Sequence, residues 1–286
     1  MAQQVINTIG VVGAGQMGGG IAQTAAASGY TVILTDAVKG AAEKGIQTIA
    51  KRFDRQIEKG TATTADKERT LANIKPVDGA ALLAPADLVI EAIVEQFEAK
   101  AALFRELDAI CKADTIFASN TSSISITKMA AATKRPEKFI GMHFMNPVPV
   151  MKLVEVIRGL QTSDGCYEAV KSAAEKMGKT TVTARHDYPG FIVNRILIPM
   201  LNEACFVLME GIATAAEIDT AMKLGTNQPM GPLELADFVG LDTVLYIAKI
   251  FHNELGDDKY RPAPILAKYV EAGWLGKKTG RGFYTY

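Results

Sequence analysis

The sequence has little of what metals, disulfides and membranes require. Its three cysteines, Cys111, Cys166 and Cys205, are odd in number and far apart, which fits reduced, partly buried thiols and excludes a disulfide framework. Its three histidines, His143, His186 and His252, include no two at ligand spacing, so no zinc site and no metal are expected. Charge of neither sign is in excess. Lys plus Arg and Asp plus Glu are 31 each, which gives no reason to expect a nucleic-acid or membrane partner. No uninterrupted apolar run approaches the ~20 residues of a membrane span. The start, MAQQVINTIG, offers neither a basic n-region nor a long apolar h-region, so a cytoplasmic location is expected. Any redox chemistry then needs an organic cofactor.

A chain of 286 residues, 48% hydrophobic, can bury a sizeable core and suggests two domains. Up to residue 185, short β-branched runs alternate with helical stretches, the pattern of an α/β fold with a doubly wound parallel sheet. The strand candidates are VINTIGVVG, TVILTD, DLVIEAI, TIFASN, FIGMHFM, LVEVI and TVTA. Residues 38 to 80 read as a helical-hairpin insertion. Lys44, Lys51 and Arg55 recur there at spacings of seven and four, on one face, which suits either a solvated surface or an anionic ligand. After His186-Asp187-Tyr188-Pro189-Gly190 strand alternation ceases and helical patterns fill the rest. The expected division is a Rossmann-type domain over residues 1–186 and an all-α domain over 187–286. The first helix of the latter is apolar on several faces and contains Pro199, so it is expected to be buried and kinked. Excess apolar helix surface points to a partner subunit.

The run GVVGAGQMGGGIAQ carries Gly13, Gly15 and Gly18 in G-x-G-x-x-G spacing, after a strand pattern and at the start of a small-residue helix. Gly13 permits the tight turn, Gly15 lets backbone approach a pyrophosphate, and Gly18 lets helix pack on strand; Gln16 and Met17 complete the loop. Asp36 ends the next strand, where its carboxylate can accept from ribose hydroxyls and repel a 2′-phosphate. The cofactor expected is therefore NAD rather than NADP.

A dehydrogenase needs a group to take the hydroxyl proton as hydride leaves, and imidazole titrates in the right range. His252 lies in a helical segment and His186 in the linker, whereas His143 ends an apolar strand, where a parallel sheet opens its ligand crevice. If PVPVMK turns a hairpin centred near Pro149, His143 and Glu155 fall opposite each other. The carboxylate would then fix the tautomer and stabilise the imidazolium. The other reading is a core histidine with a chance neighbour.

The blocks GAGQMGGGIAQ, DLVIEAIVE, FASNTSS, HFMNPVPVMKLVEVI, PGFIVNR, AMKLGTNQPMGPLELADFVGLD and GKKTGRGFY closely resemble, essentially end to end, the short-chain L-3-hydroxyacyl-CoA dehydrogenase family, its bacterial 3-hydroxybutyryl-CoA branch in particular. The resemblance implies His143 as the catalytic base with Glu155 as its partner. It further implies Ser122 as the ligand of the substrate hydroxyl and Asn194 as a positioning amide at the head of the first helix of the second domain. It adds Glu95, Lys100, Ser122, Asn146 and Lys278 around the cofactor. The family's Ser and Lys, seven residues apart on the CoA-contacting helix, find no unambiguous match in KGIQTIAKRFDRQIEKG; Lys51 is the best candidate, with Thr48, Arg52 and Arg55 beside it. The implied activity interconverts (S)-3-hydroxybutyryl-CoA and acetoacetyl-CoA with NAD, in a homodimer joined through the helical domain. An L-gulonate-type sugar-acid dehydrogenase similar to lambda-crystallin is the rival enzyme, and a non-catalytic NAD(H)-binding or structural protein the rival of another class. The basic helix favours CoA, and His143, Glu155, Ser122 and Asn194 together favour catalysis.

Overall fold

The glycine-rich loop and the His143 strand belong to one eight-stranded sheet. The structure, a computed structural model, describes residues 4–286. It divides into two compact units, one ending at Asp187 and the other running Tyr188–Tyr286.

In the first unit β1 (Thr8–Val12), α1 (Gln16–Ala27) and β2 (Thr31–Asp36) are followed by α2 (Ala41–Glu58), α3 (Thr64–Ala72) and β3 (Ile74–Asp78). Then come β4 (Leu88–Glu91), α4 (Phe97–Ile110), β5 (Ile116–Ser119), α5 (Ile126–Ala130), β6 (Phe139–Phe144), β7 (Leu153–Ile157), α6 (Asp164–Lys176) and β8 (Thr180–Ala184). The spatial order is β3-β2-β1-β4-β5-β6-β7-β8, and its first six strands follow the order of a dinucleotide-binding sheet. All neighbours are parallel except β6 and β7. Central strands are apolar on both sides, with Ile9, Val11, Leu88, Ile90, Phe117, Ile140 and Val156 all buried, because helices cover both faces. Each such side chain contributes about 1.5–3 kcal/mol on burial.

The insertion corrects the sequence reading. It holds the two helices expected, but it ends in a strand, β3, paired in parallel with β2 through Leu34 and Pro76. Pro76 disguises the strand, since proline cannot donate to a ladder. It is tolerated because β3 is the sheet edge. Helix α2 buries Ala42, Gly45, Ile49 and Phe53, a stripe at helical spacing that fixes which face turns outward. Helix α3 starts on a capping box in which Thr63 and Asp66 satisfy each other's backbone N–H groups.

The second unit contains α7 (Val193–Met209), α8 (Ala215–Gly225), α9 (Pro232–Val239), α10 (Leu241–Leu255) and α11 (Pro264–Glu271). Leu201, Cys205, Leu233, Leu241, Phe251 and Leu266 form its core. Pro199 lies inside α7 as expected, yet that helix is not buried all round: Ile198, Leu201 and Cys205 face the core while Ile196 is 69% exposed. Asp219 caps α9 by accepting from the N–H groups of Leu233 and Glu234, and Asp237 holds the C-terminal tail through those of Phe283 and Tyr284. No helix among the described residues is long and apolar enough to cross a membrane.

Candidate active site

Three segments of the first unit meet at the carboxyl ends of its strands. The first is the turn between β1 and α1. Gly13 has φ +103°, and a Cβ there would lie 2.4 Å from the Ala92 carbonyl oxygen. A Cβ on Gly18 would lie 1.8 Å from the Gly13 carbonyl, so only glycine lets α1 start this close to its strand. At Gly15 the space is open, with nothing within 4 Å of such a Cβ. No side chain caps α1, which leaves its N-terminal N–H groups and positive dipole end for an anion. Asp36 Oδ2 accepts from Ala14 N at 2.7 Å and Oδ1 from Val38 N at 3.0 Å. Each oxygen keeps a lone pair for a ribose hydroxyl. The turn, the uncapped helix and this carboxylate fit an NAD pyrophosphate and its adenosine ribose.

The second segment is the antiparallel pair of β6 and β7. His143 and Glu155 are direct partners in its register, and His143 Nδ1 lies 2.7 Å from Glu155 Oε2. Glu155 is fully buried and His143 is 8% exposed. With Glu155 accepting this bond, Nδ1 carries the proton and Nε2 is the ring nitrogen that can take up a second. The connecting loop is tied down by Lys179, whose buried Nζ donates to the carbonyls of Val148 at 2.5 Å and Met151 at 2.8 Å. Burial lowers the pKa of this ammonium. Gly20 of α1 lets the loop approach, since a Cβ there would lie 2.9 Å from Val148 Cβ. Gln16 Nε2 donates to Asn146 Oδ1 at 2.9 Å, which joins the glycine loop to this one.

The third segment, residues 120–124 after β5, carries Ser122. Glu95 Oε1 accepts from Thr121 Oγ1 at 2.6 Å, Ser122 N at 2.9 Å, and the Ser122 and Ser123 hydroxyls at 3.3 Å each. Glu95 Oε2 lies 3.2 Å from the ammonium of Lys100, a residue only 1% exposed. Burial pushes the Glu95 carboxyl up, but Lys100 and the hydrogen bonds from Thr121 and Ser122 outweigh it and hold it below the usual range. Lys100 also donates to Glu91 Oε1 at 2.5 Å. Glu91, fully buried, has its carboxyl raised by burial, against the pull of Lys100, Ser119 and the Ile93 N–H.

Beside these segments α2 lines two cavities. One, of about 250 Å³, is bounded by Gln16, Gln23, Arg52, Arg55, Asn146 and the loop prolines. The other, of about 380 Å³, includes Gly15, Gln16, Thr48 and Arg52. Arg52, Arg55 and Thr48 thus face the site. Lys51, the sequence's best candidate, is exposed and lies outside both linings, because burial of Ile49 and Phe53 turns it away.

Two expected site residues belong to the second unit. Asn194 lies in the first turn of α7. Lys278 pairs with both carboxylate oxygens of Asp242, at 2.6 and 2.8 Å. His252 Nε2 lies 3.3 Å from Asp258 Oδ1. The three thiols are buried, which pushes Cys111 up to about 11 and Cys166 and Cys205 up to about 12. No group of three or more His, Cys, Asp or Glu among the described residues is placed to hold a metal. Sequence reasoning passed over Glu91, Ser119 and Lys179. A carboxylate at the end of the apolar run LVIE was the one available signal for Glu91.

Comparison with known proteins accords with this geometry. Residues 8–188 match the model of the 3-hydroxyacyl-CoA dehydrogenase NAD binding domain, and residues 190–286 that of the 3-hydroxyacyl-CoA dehydrogenase C-terminal domain. The chain is 54% identical over 282 residues to a 3-hydroxybutyryl-CoA dehydrogenase of Bradyrhizobium diazoefficiens, covering 99% of this chain and 96% of that one. It is 44% identical over 292 residues to the mitochondrial hydroxyacyl-coenzyme A dehydrogenase of Homo sapiens, covering 99% and 92%. The crystal structure of the (S)-3-hydroxybutyryl-CoA dehydrogenase of Ralstonia eutropha superposes with a TM-score of 0.96 at 51% identity, covering 99% of each chain.

Proposed function

The chain belongs to the 3-hydroxyacyl-CoA dehydrogenase family, and on that premise we propose that it interconverts (S)-3-hydroxybutyryl-CoA and acetoacetyl-CoA with NAD. The observation that carries the chemistry is the buried contact of 2.7 Å between His143 Nδ1 and Glu155 Oε2. In the direction of oxidation, His143 Nε2 takes the 3-hydroxyl proton. Glu155 accepts from the Nδ1 proton throughout, which keeps the ring in one tautomer and offsets the positive charge it gains. Ser122, its hydroxyl turned from Glu95, donates to the C3 oxygen, and Asn194 helps to position the substrate. NAD, when bound, accepts the C3 hydride in oxidation and supplies it in reduction.

The turn of Gly13, Gly15, Gln16, Met17 and Gly18 would hold the pyrophosphate, Asp36 the adenosine ribose, and Glu95, Ser122 and Asn146 the nicotinamide end, with Lys100, buried behind Glu95, acting through that carboxylate. A contact from Lys278 would require it to leave Asp242. Arg52, Arg55 and Thr48 supply the face for the phosphates of CoA, and two guanidiniums suit phosphate oxygens. The functional division is residues 1–186 for NAD and 187–286 for substrate and dimerisation. The working form is a cytoplasmic homodimer, supported by exposed apolar side chains of the helical unit such as Ile196, Leu224 and Phe238; a monomeric sedimentation coefficient would remove that element. The test of the function is consumption of NADH on addition of acetoacetyl-CoA, with L-gulonate and NAD as the contrasting pair.

A further inference from the structure

Glu91 is a buried carboxylate that the mechanism above leaves unused. It ends β4, in register with Val12 of β1 on one side and Ser119 of β5 on the other. Both its oxygens are engaged. Oε1 accepts from Lys100 Nζ at 2.5 Å and from Ile93 N at 2.7 Å, and Oε2 accepts from Ser119 Oγ at 2.6 Å. From these bonds two routes lead to the loop that carries Ser122. By the first, Lys100 stands between Glu91 and Glu95, and Glu95 in turn accepts from Ser122 through both its N–H and its hydroxyl. By the second, Ser119 Oγ accepts from Thr121 N at 3.3 Å, and Thr121 Oγ1 accepts from the N–H groups of Ser123 and Ile124.

We propose that Glu91 is a positioning residue for Ser122, fixing through Lys100–Glu95 and through Ser119–Thr121 the backbone of the loop that carries that hydroxyl. The inference rests on the reading of Ser122 as the ligand of the C3 oxygen. The reasoning is electrostatic as well as geometric. One buried ammonium is shared by two carboxylates, so removing the charge of one draws Lys100 toward the other. Glu95 is then pulled toward Lys100 and away from the four groups that it holds in the 120–124 loop. Glutamine keeps the volume of Glu91 and removes its charge. Side chains joined in one network couple when mutated, whereas independent sites add.

The experiment is a double-mutant cycle of Glu91→Gln and Ser122→Ala, reading kcat for acetoacetyl-CoA reduction and the thermal midpoint of each variant. E91Q alone is expected to lower kcat about 10-fold or more, and no more than about 2-fold once Ser122 is alanine. If E91Q does not fold, Ser119→Ala, which cuts one route only, carries the same test with a loss of about 3-fold that disappears in the S122A background. Equal fractional losses in both backgrounds, with S122A itself impaired, would overturn the role of Glu91 alone. Unchanged turnover in S122A by itself would overturn the reading of Ser122 and the role of Glu91 with it.

Discussion

His143 and Glu155 are direct cross-strand partners, twelve residues apart in sequence and 2.7 Å apart between Nδ1 and Oε2. Replacing His143 by Asn is expected to lower kcat by about 10²–10⁴-fold, the usual contribution of a general acid–base group. Glu155→Gln should cost about 10²-fold or more, because it presents the ring with the wrong hydrogen-bond partner. The double variant should be little worse than H143N. NADH affinity by fluorescence should stay within about 3-fold in all three, since neither residue touches the glycine turn. Additive losses would separate the two residues.

The glycine turn and Asp36 make a different prediction, about the cofactor alone. Gly18→Ala places a methyl 1.8 Å from the Gly13 carbonyl. It should destabilise by about 1–3 kcal/mol, as overpacking does, and weaken NADH binding. Asp36→Ala should spare stability more, weaken NADH, and erode discrimination against NADPH. A D36A enzyme still as selective for NADH as the native one would take the ribose away from Asp36.

Helix α2 separates charge from position. Arg52 and Arg55 line the cavity shared with Gln16 and Asn146, while Lys51 points away. Arg52→Gln with Arg55→Gln should raise KM for acetoacetyl-CoA about 10-fold with little change in NADH affinity, and the effect should shrink at high salt. Lys51→Gln, which removes a like charge from the same helix, should do much less. Steady-state KM values for the three variants decide the matter.

The contrast between Lys51 and Arg52 shows how far the sequence could be read. Spacing placed basic residues on α2, but their phase depends on the buried stripe of Ala42, Gly45, Ile49 and Phe53, and one residue along a helix is a rotation of about 100°. The register of His143 with Glu155 was legible because two prolines marked the centre of a short hairpin, and strand pairing then left no freedom. β3 was hidden by Pro76, an edge-strand residue that argues against a strand wherever edge and centre cannot be told apart. The Glu91 network was hidden for another reason: it joins three segments, at 91–100, 119 and 121–124, that only the order of β1, β4 and β5 brings together.

Acid should act on this network with a definite sign. Lys100 and the hydrogen bonds to Glu95 hold its folded-state pKa below the usual range. Its contribution to stability is therefore complete above the unfolded carboxylate value of about 4.3 and is lost as pH falls through the lowered folded value. The difference in thermal midpoint between the native protein and Glu95→Gln should be largest near neutral pH and should shrink at acid pH below that value. A difference independent of pH would mean that Glu95 is not ionised in the folded protein.

The most direct measurement follows the nicotinamide absorbance after micromolar enzyme is mixed with NADH and acetoacetyl-CoA. NADH should be consumed rapidly, to (S)-3-hydroxybutyryl-CoA, by the native enzyme and at background rate by H143N of unchanged thermal midpoint and NADH affinity. Absence of consumption by the folded native protein, or equal consumption by H143N, would contradict the assignment of this chemistry to the His143–Glu155 pair.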